Sequence, residues 1–176
     1  LAAVLVAHLR EEKDPRTVFA AWRRLAASLP ARLAIIGAPL DAALAADAEA
    51  LAHADARVRY LGARPHAWTR QAIRRAHVLI VPSRMEGGAN VVVEAVTAGT
   101  AVIASRVPGN IGMLGDDHPG YFPVGDADAL AALVTRACAD RAFLERLEAA
   151  GRARADRFTP AAERAALRRA VDAALR

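Results

Sequence analysis

Cysteine, lysine and aromatic side chains are scarce in this chain, and each scarcity removes a class of protein. One cysteine, Cys138, in 176 residues excludes an intrachain disulfide framework. In its Ala-rich setting it reads as a small packing residue. Aromatics make up 5% of the residues against 55% hydrophobic overall, so the core must be built from Ala, Val, Leu and Ile. Lys13 is the sole lysine, and every other basic residue is Arg. The formal net charge of +5 comes from arginines interleaved with Asp and Glu. No basic stripe with stacking aromatics stands out, so the chain does not read as a nucleic-acid binder. No apolar run reaches the ~18 residues of a membrane span. The opening LAAVLVAHL has neither a charged leader region nor a small-x-small cleavage site, and it reads as a buried strand. A domain opening on a core strand is expected to be separated from an upstream half, and its expected location is the cytoplasm. There is no G-x-G-x-x-G after the first apolar run and no P-loop, which argues against a dinucleotide oxidoreductase or a P-loop NTPase.

What is present is alternation. Apolar runs at 2–7, 33–36, 58–61, 78–81 and 101–104 are separated by segments of helical period at 15–28, 41–53, 68–75 and 90–98. The runs are apolar throughout, so both faces of their sheet should be covered. This predicts an α/β, Rossmann-like, doubly wound parallel sheet with helices on both faces. Residues 106–120, dense in Pro, Gly and Asp, read as a loop. A short strand over 121–124 and three further C-terminal helices (128–140, 142–157 and 160–175) complete one domain over 1–176. Thr159 before Pro160 reads as an N-cap.

In open parallel sheets, ligands bind beyond the carboxyl ends of the strands. The segments to read for chemistry are therefore 8–13, 37–39, 62–64, 82–90 and 105–109. The most informative is VLIVPSRMEGGANVVVEAVTAGTAVIAS, residues 78–105. Asn90 is placed as an N-cap and Gly99 as a C-cap glycine. Gly87 and Gly88 are expected to adopt dihedrals closed to other residues and to let the backbone approach a ligand. The free amides at the helix start suit a phosphate. Glu86 and Glu94 flank that anion site, and their natural partners are hydroxyls. A diphosphate between two polyols describes a nucleotide sugar. A Gly-rich turn with two solvated glutamates is the plain alternative.

The E-x7-E pattern of Glu86 and Glu94, inside S-x-x-E-G…E-A…A-G-x-x-V-I-A-S, resembles the motif of the retaining glycosyltransferases with two Rossmann-like domains, usually called family 4. VRYLG at 58–62, AHVLIVPS at 77–83 and GYFPVGDADALA at 120–131 are similar to further family segments, in order. The resemblance implies that this chain is the donor-binding half, with the N-terminal acceptor domain absent from it. It implies that Glu94 holds the ribose hydroxyls and that Glu86 contacts the transferred sugar. The backbone of Gly87, Gly88, Ala89 and Asn90 would line the sugar and phosphates. Lys13 would sit on the diphosphate. His8 stands where the family has an arginine, so either Arg10 supplies that charge or His8 meets the phosphate itself. Gly62 to Arg64 would shape the base pocket, with Arg64 either stacked on the base or merely exposed. HLREEKDP, SRMEGGANVVVEA and ASRVPGNIGMLGDDHPGYFPVGD look closer to the selenosugar synthase-like subgroup, which implies a UDP-sugar donor and selenophosphate as acceptor.

No cofactor beyond the donor and no metal are expected. Asp116, Asp117 and His118 read as a polar turn. His53, His66 and His77 stand singly and read as fillers, and Trp22 and Trp68 as packing residues. Two other readings stay open: a non-catalytic module that binds a nucleotide or phosphorylated ligand, and an inactive glycosyltransferase-like partner subunit.

Overall fold

The computed structural model describes residues 1–175. Six strands among them form one sheet: β1 (Ala2–Val6), β2 (Arg32–Ile36), β3 (Val58–Tyr60), β4 (Val78–Val81), β5 (Ala101–Ser105) and β6 (Tyr121–Phe122). Their spatial order is β3-β2-β1-β4-β5-β6, and every pair is parallel. The helices are α1 (Pro15–Arg24), α2 (Ala42–Ala54), α3 (His66–Arg75), α4 (Asn90–Ala98), α5 (Pro108–Leu114), α6 (Ala127–Ala139), α7 (Arg141–Arg152) and α8 (Pro160–Ala174).

The unbroken apolar strands are explained by two cores, one on each face. Side chains alternate across a strand. Ala3, Leu5, Val78, Ile80, Ala101 and Ile103 accordingly enter one core with Phe19, Trp22, Leu130 and Phe143. Val4, Leu79, Val81, Val102 and Ala104 enter the other with Ile73, Val92 and Leu114. The register aligns Tyr60, Ile35, Leu5, Ile80 and Ile103 in one row across five strands. Trp22 is fully buried, in agreement with its reading as packing.

The predicted elements recur with shifted ends. α1 stops at Arg24, because Leu25 turns to extended dihedrals and buries its side chain. α7 stops at Arg152 and the chain tightens into a 3-10 turn at Ala155–Phe158. Thr159 caps α8, its side chain accepting from the Ala162 amide. The predicted loop at 106–120 is a correction: Pro108–Leu114 forms α5. Two internal glycines and poor helix propensity hid it. Tertiary contacts hold it, since Asn110 and Leu114 are buried and Arg154 Nε donates to the Met113 carbonyl at its C-terminal end, 3.2 Å.

The chain leaves β1 for β2 on one side and crosses back to β4 on the other. Connections diverge at this reversal and open a crevice at the strands' carboxyl ends.

Candidate functional site

A cleft of about 520 Å³ lies in that crevice. It is lined by residues following each of the four strands around the reversal: His8, Arg10 and Lys13 after β1, Gly37 after β2, Arg64 and His66 after β3, and Ser83, Glu86, Gly88, Asn90 and Glu94 after β4. His8, Arg10, Lys13, Arg64, Glu86, Gly88, Ala89, Asn90 and Glu94 all line it, whereas Gly87 and Gly62 lie in the same loops but off the cleft wall.

Lys13 ends a single 3-10 turn, Glu11–Lys13. The next residue, Asp14, takes the left-handed conformation (φ 45°) and is buried. Its carboxylate accepts from Thr17 Oγ1 at 2.7 Å and faces Arg84 at 3.6 Å. The Arg84 amide donates to the Glu12 carbonyl at 2.9 Å. These contacts tie the loop after β1 to the loop after β4 and bring Lys13 Nζ to Glu86 Oε1, 2.7 Å away. Ser83 Oγ donates to the same oxygen at 2.6 Å. The Glu86 side chain is 6% exposed and that of Lys13 21%. An ammonium has three donors and a carboxylate about four acceptor sites. Lys13 therefore keeps two N–H groups for a ligand, and Glu86 keeps Oε2.

The Glu86 loop rests on α5. A Cβ at Gly109 would fall 2.0 Å from the Glu86 carbonyl oxygen, so only glycine lets the two backbones meet. Asn110 Nδ2 donates to the Ser105 carbonyl at 2.9 Å, and Ser105 Oγ donates to the Ser83 carbonyl at 2.5 Å. The Ala89 amide donates to Met113 Sδ at 3.2 Å and is thereby taken from any ligand.

Two expectations about this loop are corrected. Asn90 is not the N-cap: Ala89 holds that position and no side chain caps α4. Asn90 sits one residue inside; it and Val91 line the cleft, and the amides of both are without a protein partner among the described residues. Gly87 and Gly88 have no positive φ, and a Cβ at either would meet nothing within 4 Å. What glycine leaves there is open space, not a special backbone. The far end of α4 is as expected. Gly99 is left-handed (φ 78°), and Gly99 and Thr100 donate back to Val96 and Ala95 in a Schellman closure.

Glu94 lies one turn into α4, its side chain 18% exposed. His66 Nε2 meets its Oε1 at 2.6 Å. His66, read from sequence as a filler, is therefore a residue of the cleft. It lies two residues beyond the window 62–64 taken after β3, and pairing through space with Glu94 leaves no trace in one sequence. Ser83 falls within the window 82–90, but its pairing with Glu86 likewise has no signal in the sequence. His8 Nδ1 accepts from the Ala38 amide at 3.2 Å, leaving Nε2 available. Arg10 pairs with Glu12 at 3.0 Å. The Arg64 guanidinium lies over the Trp68 ring, 5.7 Å from its centroid.

Two residues of the polar turn at 116–118 are engaged away from the cleft. Asp116 pairs with Arg106 at 3.2 Å. His118 is buried with Nε2 on the Val102 carbonyl at 2.8 Å, and its burial holds its pKa below the ordinary value. Beside it, burial pushes the Tyr121 hydroxyl up to about 12. His77 Nδ1 accepts the Ala2 amide at 2.9 Å, a structural contact. Among the described residues no group of three or more His, Cys, Asp or Glu is placed to hold a metal ion, and no helix is long and apolar enough to cross a membrane.

The profile of the family described as glycosyl transferases group 1 matches residues 2–154. The chain belongs to this family. Among solved structures, this glycosyl transferases group 1 chain is similar to sucrose-phosphate synthase from Thermosynechococcus elongatus, at 30% identity with a TM-score of 0.76. The match covers 98% of this chain and 46% of that one, so the chain spans just under half the length of its relative. A comparison with curated proteins finds no match. In all, 212 chains of solved structures match.

Proposed function

We propose that the cleft is the donor site of a retaining, metal-independent glycosyltransferase and that it takes a UDP-sugar. One observation carries the reading. Lys13 and Glu86 are held together beside the uncapped start of α4, with Glu94 one turn further along. A nucleotide sugar has matching parts in the same order: sugar hydroxyls, a diphosphate and a ribose diol. Lys13, with Arg10 or His8, and the amides of Asn90 and Val91 face the diphosphate. Glu86 Oε2 accepts from the sugar, and Glu94 accepts from the ribose. Arg64, already over Trp68, borders the base.

In transfer, the bond from the anomeric carbon to the diphosphate oxygen breaks, its electron pair leaves with the nucleoside diphosphate, and an electron pair of the acceptor's nucleophilic atom forms the new bond to that carbon. The charge developing there meets a fixed ammonium and helix-start amides, the electrostatic role that a metal ion fills in other enzymes. The acceptor wall belongs to a second Rossmann-like domain upstream. For the acceptor, the similarity of HLREEKDP, SRMEGGANVVVEA and residues 104–126 together to selenosugar synthase-like enzymes supports selenophosphate, a small anion suited to a basic cleft.

Titration calorimetry with UDP, ADP and GDP tests this reading. UDP is expected to bind most tightly, and a transfer assay on this chain alone is expected to show no turnover. Equal or absent binding of the three nucleotides overturns the donor assignment. Robust transfer by this chain alone overturns the need for a second domain.

A further inference from the structure

His66 is the first residue of α3, placed by Pro65 at the helix start. Its side chain is 73% exposed, so burial does not explain where it lies. Among the described residues its side chain makes a single hydrogen bond, to Glu94 Oε1 at 2.6 Å. Thr69, one turn along the same helix, also lines the cleft. His66 thus reaches from the wall after β3 to the carboxylate on α4.

We infer that His66 is the positioning residue of the ribose subsite: it holds the Glu94 carboxylate in the orientation that accepts a vicinal diol. The inference rests on the donor-site reading of Glu94. A carboxylate offers about four acceptor sites, His66 occupies one, and the two hydroxyls of a ribose need two. The diol therefore binds without displacing the imidazole. Without His66, Glu94 would sample several rotamers, and binding would have to restrict them at the cost of side-chain entropy. With His66 in place, that ordering precedes the ligand. The donor needed is an N–H at Nε2, which a neutral imidazole can supply.

The test uses the full chain, titrated with UDP and with the dideoxyribose analogue of UDP, which lacks both ribose hydroxyls. His66→Ala is expected to weaken UDP roughly three- to tenfold, the range of one hydrogen bond, and to leave the dideoxy analogue unchanged. His66→Gln, which keeps an N–H donor of similar reach, should recover most of the loss. In Glu94→Gln the further change His66→Ala should add nothing. If His66→Ala tightens UDP binding, His66 is a plug and the inference is wrong. It is also wrong if both ligands weaken equally. If the wild-type chain prefers UDP to the dideoxy analogue, and Glu94→Gln abolishes that preference while His66→Ala does not, the donor-site reading stands and the role of His66 falls. If the wild-type chain shows no such preference, the ribose reading of Glu94 falls and takes this inference with it.

Discussion

Lys13 and Glu86 are 73 residues apart in sequence, and Lys13 Nζ and Glu86 Oε1 are 2.7 Å apart in space. They lie in the loops after β1 and β4, which are neighbours in the sheet although α1, β2, α2, β3 and α3 lie between them in the chain. The reversal of strand order is what makes the pair. It also leaves each partner with unused hydrogen-bonding capacity facing the same cleft.

Lys13→Ala is expected to weaken UDP about 10- to 150-fold, the value of a charge-assisted contact of ~1.5–3 kcal/mol. Uridine, which has no phosphate, should be little affected. Part of the difference should shrink at high salt, where the attraction is screened. Calorimetry with both ligands at two ionic strengths measures this. An equal loss for uridine and UDP, with the fold intact by circular dichroism, would remove Lys13 from the diphosphate.

Glu94→Gln acts on the ribose and should therefore weaken UDP and uridine by the same factor, roughly tenfold. The crossed pattern separates the two mutants from general unfolding. A Glu94→Gln variant that weakened UDP alone would place that carboxylate elsewhere on the ligand.

Gly109→Ala and Gly112→Ala sit in the same short helix and should have opposite signs. Alanine in a helix normally gains about 0.5–1 kcal/mol over glycine. At Gly112 a Cβ meets nothing within 4 Å, so that gain should appear in a urea melt. At Gly109 the Cβ would lie 2.0 Å from the Glu86 carbonyl oxygen, a backbone clash that no rotamer relieves. Overpacking of this kind costs about 1–3 kcal/mol and wins. Gly109→Ala should also weaken UDP-sugar binding, because the Glu86 loop must move. Equal midpoints for the two variants would show that α5 does not support the loop.

His118 gives the fold a pH dependence of predictable sign. Burial lowers its pKa below the ordinary 6.5, so the unfolded chain takes up a proton before the folded one does. Stability is complete above that ordinary value. It is lost as pH falls from there towards the lowered folded value, where the loss levels off. Urea melts over this window should show a shallower slope against pH in His118→Gln than in the wild type. An unchanged slope would assign the effect to other groups.

Much of the fold was legible because strands buried on both faces must be apolar at every position, as 78–81 and 101–104 are. The cleft was legible because strand ends locate ligands in such sheets, which picked out 8–13 and 82–90. α5 was hidden because its stability comes from Asn110, Leu114 and Arg154 and not from its own propensity. The missing cap at Asn90 was hidden for a related reason. A good capping residue predicts a satisfied helix start, whereas here the first turn is left with unpaired amides that a side-chain cap would have occupied. His66 was hidden because its importance lies in a partner 28 residues away on another helix.

The central claim is that one cleft binds a nucleoside diphosphate with the phosphates at β1 and α4 and the ribose on Glu94. A crystal structure of the chain with UDP tests it most directly. The expected density places the diphosphate within hydrogen-bonding distance of Lys13 Nζ and the Asn90 and Val91 amides, and both ribose hydroxyls on the Glu94 carboxylate. UDP bound outside the cleft, or inside it with the ribose at Lys13 and the phosphates away from the start of α4, would contradict the account.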